Sequence, residues 1–93
     1  MYMARTRRDD PRVAGIIDRI RDIPRGSVQA YSDIDPAAPR LVGRVLATTH
    51  EDVPWHRVVR ADGSIPKGRR QRDLLLAEGV PMKGDRVDLS RRG

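Results

Sequence analysis

Residues Pro54-Trp55-His56-Arg57-Val58 place an imidazole beside a wide aromatic ring, behind a proline and ahead of a β-branched pair. A histidine so placed is a general-base candidate, because its proton is exchangeable near neutral pH. A general base needs a group to activate. The chain has no cysteine, and no Ser or Thr is spaced to sit beside His56. A hydrolase built on His56 with an Asp or Glu therefore fits poorly, and His56 reads first as a satisfied structural histidine. Trp55 alone reads as a core residue. Arg40 and Arg44 stand one helical turn apart and project together. Their forks suit phosphate oxygens, although two such arginines also make an ordinary solvated face.

Charge narrows the partner. The 93 residues carry 19 Lys+Arg against 13 Asp+Glu, a net charge of +6. Almost all of the basic excess is arginine, which grips phosphate and stacks on bases better than lysine does. Nucleic acid is the expected partner; the competing explanation is a general preference for Arg over Lys. The absence of cysteine excludes disulfides, thiolate metal sites and thiol catalysis, and makes a cytoplasmic location the expectation, nucleoid-associated when bound to DNA. No apolar run approaches a membrane span, and the N-terminus lacks the apolar stretch of a signal peptide. Neither a cofactor nor a metal is expected, no membrane partner is expected, and the chain reads as a monomer.

The elements that must position these groups are short. Residues 1–9 read as a flexible basic arm, and 10–93 as one domain. Asp10 caps a first helix with Pro11 at its start and Val13, Ile16, Ile17, Ile20 and Ile23 along its apolar face. The segment around Tyr31 is ambiguous, with Ser32 able to cap a brief turn that Pro36 and Pro39 restrict. A second helix begins at Pro39, with Leu41, Val42, Val45 and Leu46 inward. Val58-Val59 and the Asp62-Gly63 turn predict a small hairpin. A third helix follows, with Leu74, Leu75 and Leu76 inward and Gly79 as its stop; the pairs Arg69-Arg70 and Gln71-Arg72 read as its solvated side. Residues 80–90 predict a short closing strand. The fold class is α+β, mainly α: a winged helix-turn-helix.

Tyr31, the segment PRLVGRVL at 39–46, PWHRVV at 54–59, the Asp-Gly turn at 62–63 and LLAEG at 75–79 occur in an order that resembles the DNA-binding domain of the O6-alkylguanine-DNA alkyltransferases. The likeness runs from about Val13 to Leu89. That family's signature is Pro-Cys-His-Arg, and its Cys takes the alkyl group; here the position is Trp55. Such a replacement marks the alkyltransferase-like proteins, which bind alkylated DNA without repairing it. The resemblance implies a partner, double-stranded DNA containing O6-alkylguanine, and nucleotide excision repair proteins beyond it.

It also implies roles. Tyr31 resembles the tyrosine that crowds the phosphate beside the lesion. Arg40 resembles the arginine finger that fills the space left by the rotated nucleotide. Arg44 stands where the family often has a second glycine, and adds a cation to the DNA-binding helix. Trp55 would line the alkylguanine pocket with Tyr31, and the carbonyls of Trp55 and Val58 would accept from the guanine edge. His56 and Glu78 match a relay that in the family ends on the Cys; here it ends on nothing reactive and is expected to be structural, with Arg57 bracing the pocket strand. Lys67 or Arg69 could lie over the base and add cation–π attraction.

The alternative is a winged-helix transcriptional regulator reading sequence in the major groove. Such proteins usually dimerise on symmetric half-sites, and the chain offers neither a dimerisation helix nor a polar reading set along one helix face.

Overall fold

Helix α1 spans Pro11–Arg21 in a computed structural model that describes residues 10–91; the basic arm expected over residues 1–9 lies outside them. Asp10 caps it as expected, its carboxylate accepting from the N–H of Arg12 at 2.9 Å, with Pro11 at the first position. Val13, Ile16, Ile17 and Ile20 turn inward, and Ile23 follows them just past the helix end. They pack against Ile34, Val42, Val45, Val53 and Val58 to form one core. Burying each such side chain contributes about 1.5–3 kcal/mol before conformational entropy is counted.

A two-residue strand β1, Gln29–Ala30, leads into α2, Tyr31–Ile34. Tyr31, not Ser32, opens this single turn. Asp33 closes it from within, accepting from the Ala30 N–H at 2.9 Å. The prolines at 36 and 39 leave no room for a longer helix. The bend to α3, Pro39–Thr48, is fastened to α1: the Arg12 fork donates two 2.9 Å hydrogen bonds to Asp35, and Arg19 donates to the Ile34 carbonyl. Helices α2 and α3 form the helix-turn-helix.

The expected hairpin does not form. Strand β2, Val58–Val59, instead pairs in parallel with β1, Gln29 opposite Val58 and Ala30 opposite Val59. The Asp-Gly turn is real: Gly63 has φ +86°, and Asp62 accepts from the Ser64 N–H at 2.9 Å. It closes against a later segment, with the Val87 N–H donating to the Gly63 carbonyl at 2.9 Å. Residues 80–90, expected as one closing strand, instead contain an antiparallel hairpin of β3, Met82–Lys83, and β4, Arg86–Val87.

Helix α4, Gly68–Ala77, corrects the leucine assignment. Three consecutive residues lie about 100° apart around a helix, so they cannot share one face. Only Leu75 is buried; Leu74 and Leu76 are 37% and 44% exposed. Gln71, one turn earlier and read from the sequence as solvated, is fully buried. Gly79 ends the helix with φ +78°. Leu75 joins Val28, Val59, Val80 and Val87 in a second core. Neighbouring side chains on a strand point to opposite faces, so Val58 serves the first core and Val59 the second. The mainly helical α+β class is as the sequence predicts. No helix among the described residues is long and apolar enough to cross a membrane.

Candidate nucleic-acid interface

Residues Trp55–Arg57 form a 3-10 turn just ahead of β2. This turn places Trp55 in the lining of a cavity of about 610 Å³ between α3 and α4. Tyr31, Gly43, Leu46 and Ala47 form one wall, and Trp55, Val58, Pro66, Lys67, Arg70 and Gln71 the other. Positions 43, 46 and 47 share a flank of α3 by helical spacing, next to the Val42 and Val45 that enter the core. At Gly43 an added Cβ would lie 4.0 Å from the Tyr31 ring, so glycine keeps that wall thin without being sterically required.

Trp55 meets a cation. The Arg70 guanidinium lies 5.7 Å from the indole centroid, within cation–π range, and the His56 ring abuts Trp55 edge-on at 5.9 Å. From the sequence, Lys67 or Arg69 is the cation expected over the base. Lys67 does line the cavity. Arg69 does not: it lines a separate groove with Arg72 and Arg86, because one residue along a helix is a 100° rotation. Arg70, read as solvated, is the arginine that lines the cavity and faces the indole.

Gln71 fixes the pocket floor. Its amide N–H groups donate to the carbonyls of Val58 at 2.8 Å and His56 at 3.1 Å, and its oxygen accepts from the Lys67 N–H at 3.0 Å. The Trp55 carbonyl accepts from the Val58 N–H. Thus both carbonyls expected to meet a guanine edge already hold one internal partner. Each keeps a second lone pair. Gln71 sits four residues before Leu75, and that core spacing was the available sign of its burial.

Behind this turn lies the relay pair. His56 Nε2 stands 2.7 Å from Glu78 Oε2. Arg57 donates to both oxygens of Glu78, at 3.0 and 2.8 Å, and also to the Ile23 carbonyl at 2.9 Å. The Gly26 N–H adds a bond to Glu78 at 3.2 Å. Arg57's fork, working against the cost of burial and helped by His56 and Gly26, holds the Glu78 carboxyl down at about 2. Neither His56 nor Glu78 lines the cavity. The network joins the 3-10 turn to the end of α4 and the loop after α1.

A shallower cleft adjoins the cavity. Tyr31, Pro39, Arg40, Gly43, Arg60 and Pro66 line it. Tyr31, Gly43 and Pro66 belong to both hollows, and the bend after α2 brings Tyr31 and Arg40 to the same cleft. Burial raises the Tyr31 phenol pKa, and the nearby Arg60 charge partly opposes it. Arg60 was not singled out from the sequence. Arg44 is exposed one turn beyond Arg40 and lines neither hollow. No group of His, Asp or Glu suited to a metal occurs among the described residues.

The sequence and the fold are similar to those of known proteins. Residues 13–80 match the family described as 6-O-methylguanine DNA methyltransferase, DNA binding domain. The DNA base-flipping protein of Escherichia coli strain K12 is 44% identical over 81 aligned residues, covering 74% of this chain and 63% of that protein. The chain thus spans under two thirds of that relative's length. Alkyltransferase-like protein 1 of Schizosaccharomyces pombe is 36% identical over 78 residues, covering 70% of this chain and 72% of the relative. The crystal structure of S. pombe Atl1 in complex with damaged DNA containing O6-carboxymethylguanine superposes with a TM-score of 0.70 at 32% identity, over 89% of this chain and 83% of that one. A second S. pombe complex with DNA gives 0.71. The chain therefore belongs to the alkyltransferase-like group of the 6-O-methylguanine DNA methyltransferase DNA-binding-domain family.

Proposed function

We propose that this protein is a non-enzymatic sensor that rotates O6-alkylguanine out of duplex DNA, holds it against Trp55, and marks it for nucleotide excision repair. The observation that carries this reading is the pairing of two hollows: an aromatic-walled cavity carrying Arg70 on its indole, and a cleft with Arg40 and Tyr31 at its rim. Rotating a base needs something to fill the gap, a pocket to receive the base, and a hold on the strand. Arg40 fills, the cavity receives, and Tyr31 with Arg60 and Arg44 holds phosphates. The alkyl group removes a Watson–Crick donor, so the pair being broken is already weak. Stacking on an aromatic wall supplies about 1–3 kcal/mol per base.

An indole cannot accept an alkyl group as a thiolate does, which leaves binding as the output. The related DNA base-flipping protein and the S. pombe complex with O6-carboxymethylguanine DNA support the same reading.

The test is a titration of matched duplexes, with and without O6-methylguanine, at two salt concentrations. The modified duplex should bind more tightly at both. Affinity should fall by about 0.9 log unit per log unit of salt for each phosphate engaged. Trp55→Ala should weaken lesion binding about tenfold, the loss of one base stack, and affect unmodified duplex much less. Equal affinity for the two duplexes would remove the sensor reading, and alkyl transfer to the protein would remove the non-enzymatic one.

A further inference from the structure

Helix α4 has two working flanks, and the proposed function uses one. Lys67, Arg70 and Gln71 face the Trp55 cavity. On the other flank Arg69 and Arg72 line a groove of about 750 Å³, closed on its far side by Arg86 and Asp85 of the β3–β4 hairpin. Among the described residues, neither Arg69 nor Arg72 makes an ion pair. The Arg72 Nε is enclosed without an acceptor. Arg86 has one carboxylate neighbour, Asp62, at 3.8 Å, with both side chains well exposed. One turn beyond Arg72, and so on the same flank, stands Leu76, 44% exposed.

We propose that this groove docks an acidic segment of a protein partner that carries an apolar side chain, while the opposite flank of α4 holds DNA. Three arginines with little neutralisation call for carboxylates or phosphates, since arginine clusters recognise both. The geometry favours carboxylates on a protein. A duplex whose base enters the Trp55 cavity is separated from this groove by the body of α4. An exposed leucine beside the arginines offers nothing to a phosphate backbone, whereas a peptide side chain can bury it. Asp85 sets polarity, keeping the partner's acidic residues toward Arg69 and Arg72. This rests on the sensor reading only in its expectation that DNA and partner bind together; the peptide arm of the test stands without it.

The experiment uses the full chain, a fluorescein-labelled Glu/Asp-rich peptide with one central Leu, and an O6-methylguanine duplex, all followed by anisotropy at physiological salt. Peptide binding in the micromolar range is expected. The double variant Arg69→Gln/Arg72→Gln should weaken it about tenfold, by loss of two charge-assisted contacts, and should leave duplex affinity within about threefold. Arg70→Gln should do the reverse. Leu76→Ser, with unchanged melting temperature, should weaken the peptide about threefold or more, as should a peptide with Ser for Leu. A saturating duplex should not displace the peptide. The proposal is overturned by absence of peptide binding up to about 100 μM, by displacement with duplex, by equal losses for both ligands, or by indifference to both leucine changes. Failure of the duplex to bind preferentially, with the peptide results intact, would instead remove the sensor reading.

Discussion

Glu78→Gln isolates the network behind the Trp55 turn. The Glu78 side chain is only 7% exposed, and it receives bonds from Arg57, His56 and Gly26. Its carboxyl is lowered from 4.5 to about 2. At about 1.4 kcal/mol per pKa unit, this is worth about 3 kcal/mol of folding stability at pH 7. The folded value lies below the unfolded one. The contribution is therefore complete above about pH 5 and drains away as pH falls through 4.5 toward 2. Glutamine keeps the shape and loses the charge, leaving the Arg57 guanidinium, 16% exposed, without its counter-ion. Urea unfolding should show a deficit of about 3 kcal/mol against the parent at pH 7, shrinking to roughly 1 kcal/mol at pH 3. Other depressed carboxyls such as Asp35 act in both proteins and cancel in the difference. Lesion affinity, measured where both are folded, should stay within about threefold, because Glu78 stands outside the cavity. A deficit independent of pH would refute the electrostatic account. A fully stable variant that no longer bound lesion duplex would refute the structural one and place the carboxylate in the site's chemistry.

Arg40→Ala should weaken lesion-duplex binding by about tenfold, or roughly 1.4 kcal/mol, with unfolding free energy changed by under about 0.5 kcal/mol, since Arg40 is exposed. Lys83→Ala, on the exposed edge of β3, is the control for general charge loss; equal effects would deny Arg40 a special place. Gln71→Leu keeps the volume but strands the Val58 and His56 carbonyls and the Lys67 N–H. It should cost about 2–3 kcal/mol of stability and also reduce discrimination for the lesion, measured as the ratio of modified to unmodified duplex affinity. A destabilised protein with unchanged discrimination would show that Gln71 holds the fold without shaping the pocket.

Local signals were legible where one stretch of chain decided the outcome. Asp10, Pro11 and the isoleucine spacing of α1 fix that helix by capping and periodicity alone, and Gly79 ends α4 as its position predicts. What failed depended on partners distant in the chain. Val58-Val59 ahead of an Asp-Gly turn satisfies the local rule for a hairpin, yet its hydrogen bonds go to Gln29–Ala30. No local pattern distinguishes a returning strand from a remote parallel one. The pocket followed the same division. Trp55, Tyr31 and Val58 came from the motif, and the structure brings them together with Lys67. Arg70 against Arg69 turned on helical phase, which an unmarked helix start leaves uncertain by a residue or two. Gly68, the first residue of α4, has a backbone φ of +63°, and Lys67 before it makes no side-chain cap.

The Trp55 site also explains why a polar residue belongs in this core. Val58 turns its side chain into the first core and its carbonyl to the Gln71 amide, while the 3-10 turn before it ends at Arg57. An apolar residue at position 71 would pack as well as Gln71 but leave the Val58 and His56 carbonyls without a donor. The buried amide costs little when all its groups are bonded and costs several kcal/mol when they are not. Two bonds from the Gln71 amide N–H groups thus tie α4, which carries Arg70, to the turn that carries Trp55 and the strand that follows it, while its oxygen holds the Lys67 N–H at the start of α4. The Arg57–Glu78 fork braces the same turn from behind, outside the cavity, so of the two links the Gln71 one lies closer to the indole and guanidinium that face each other.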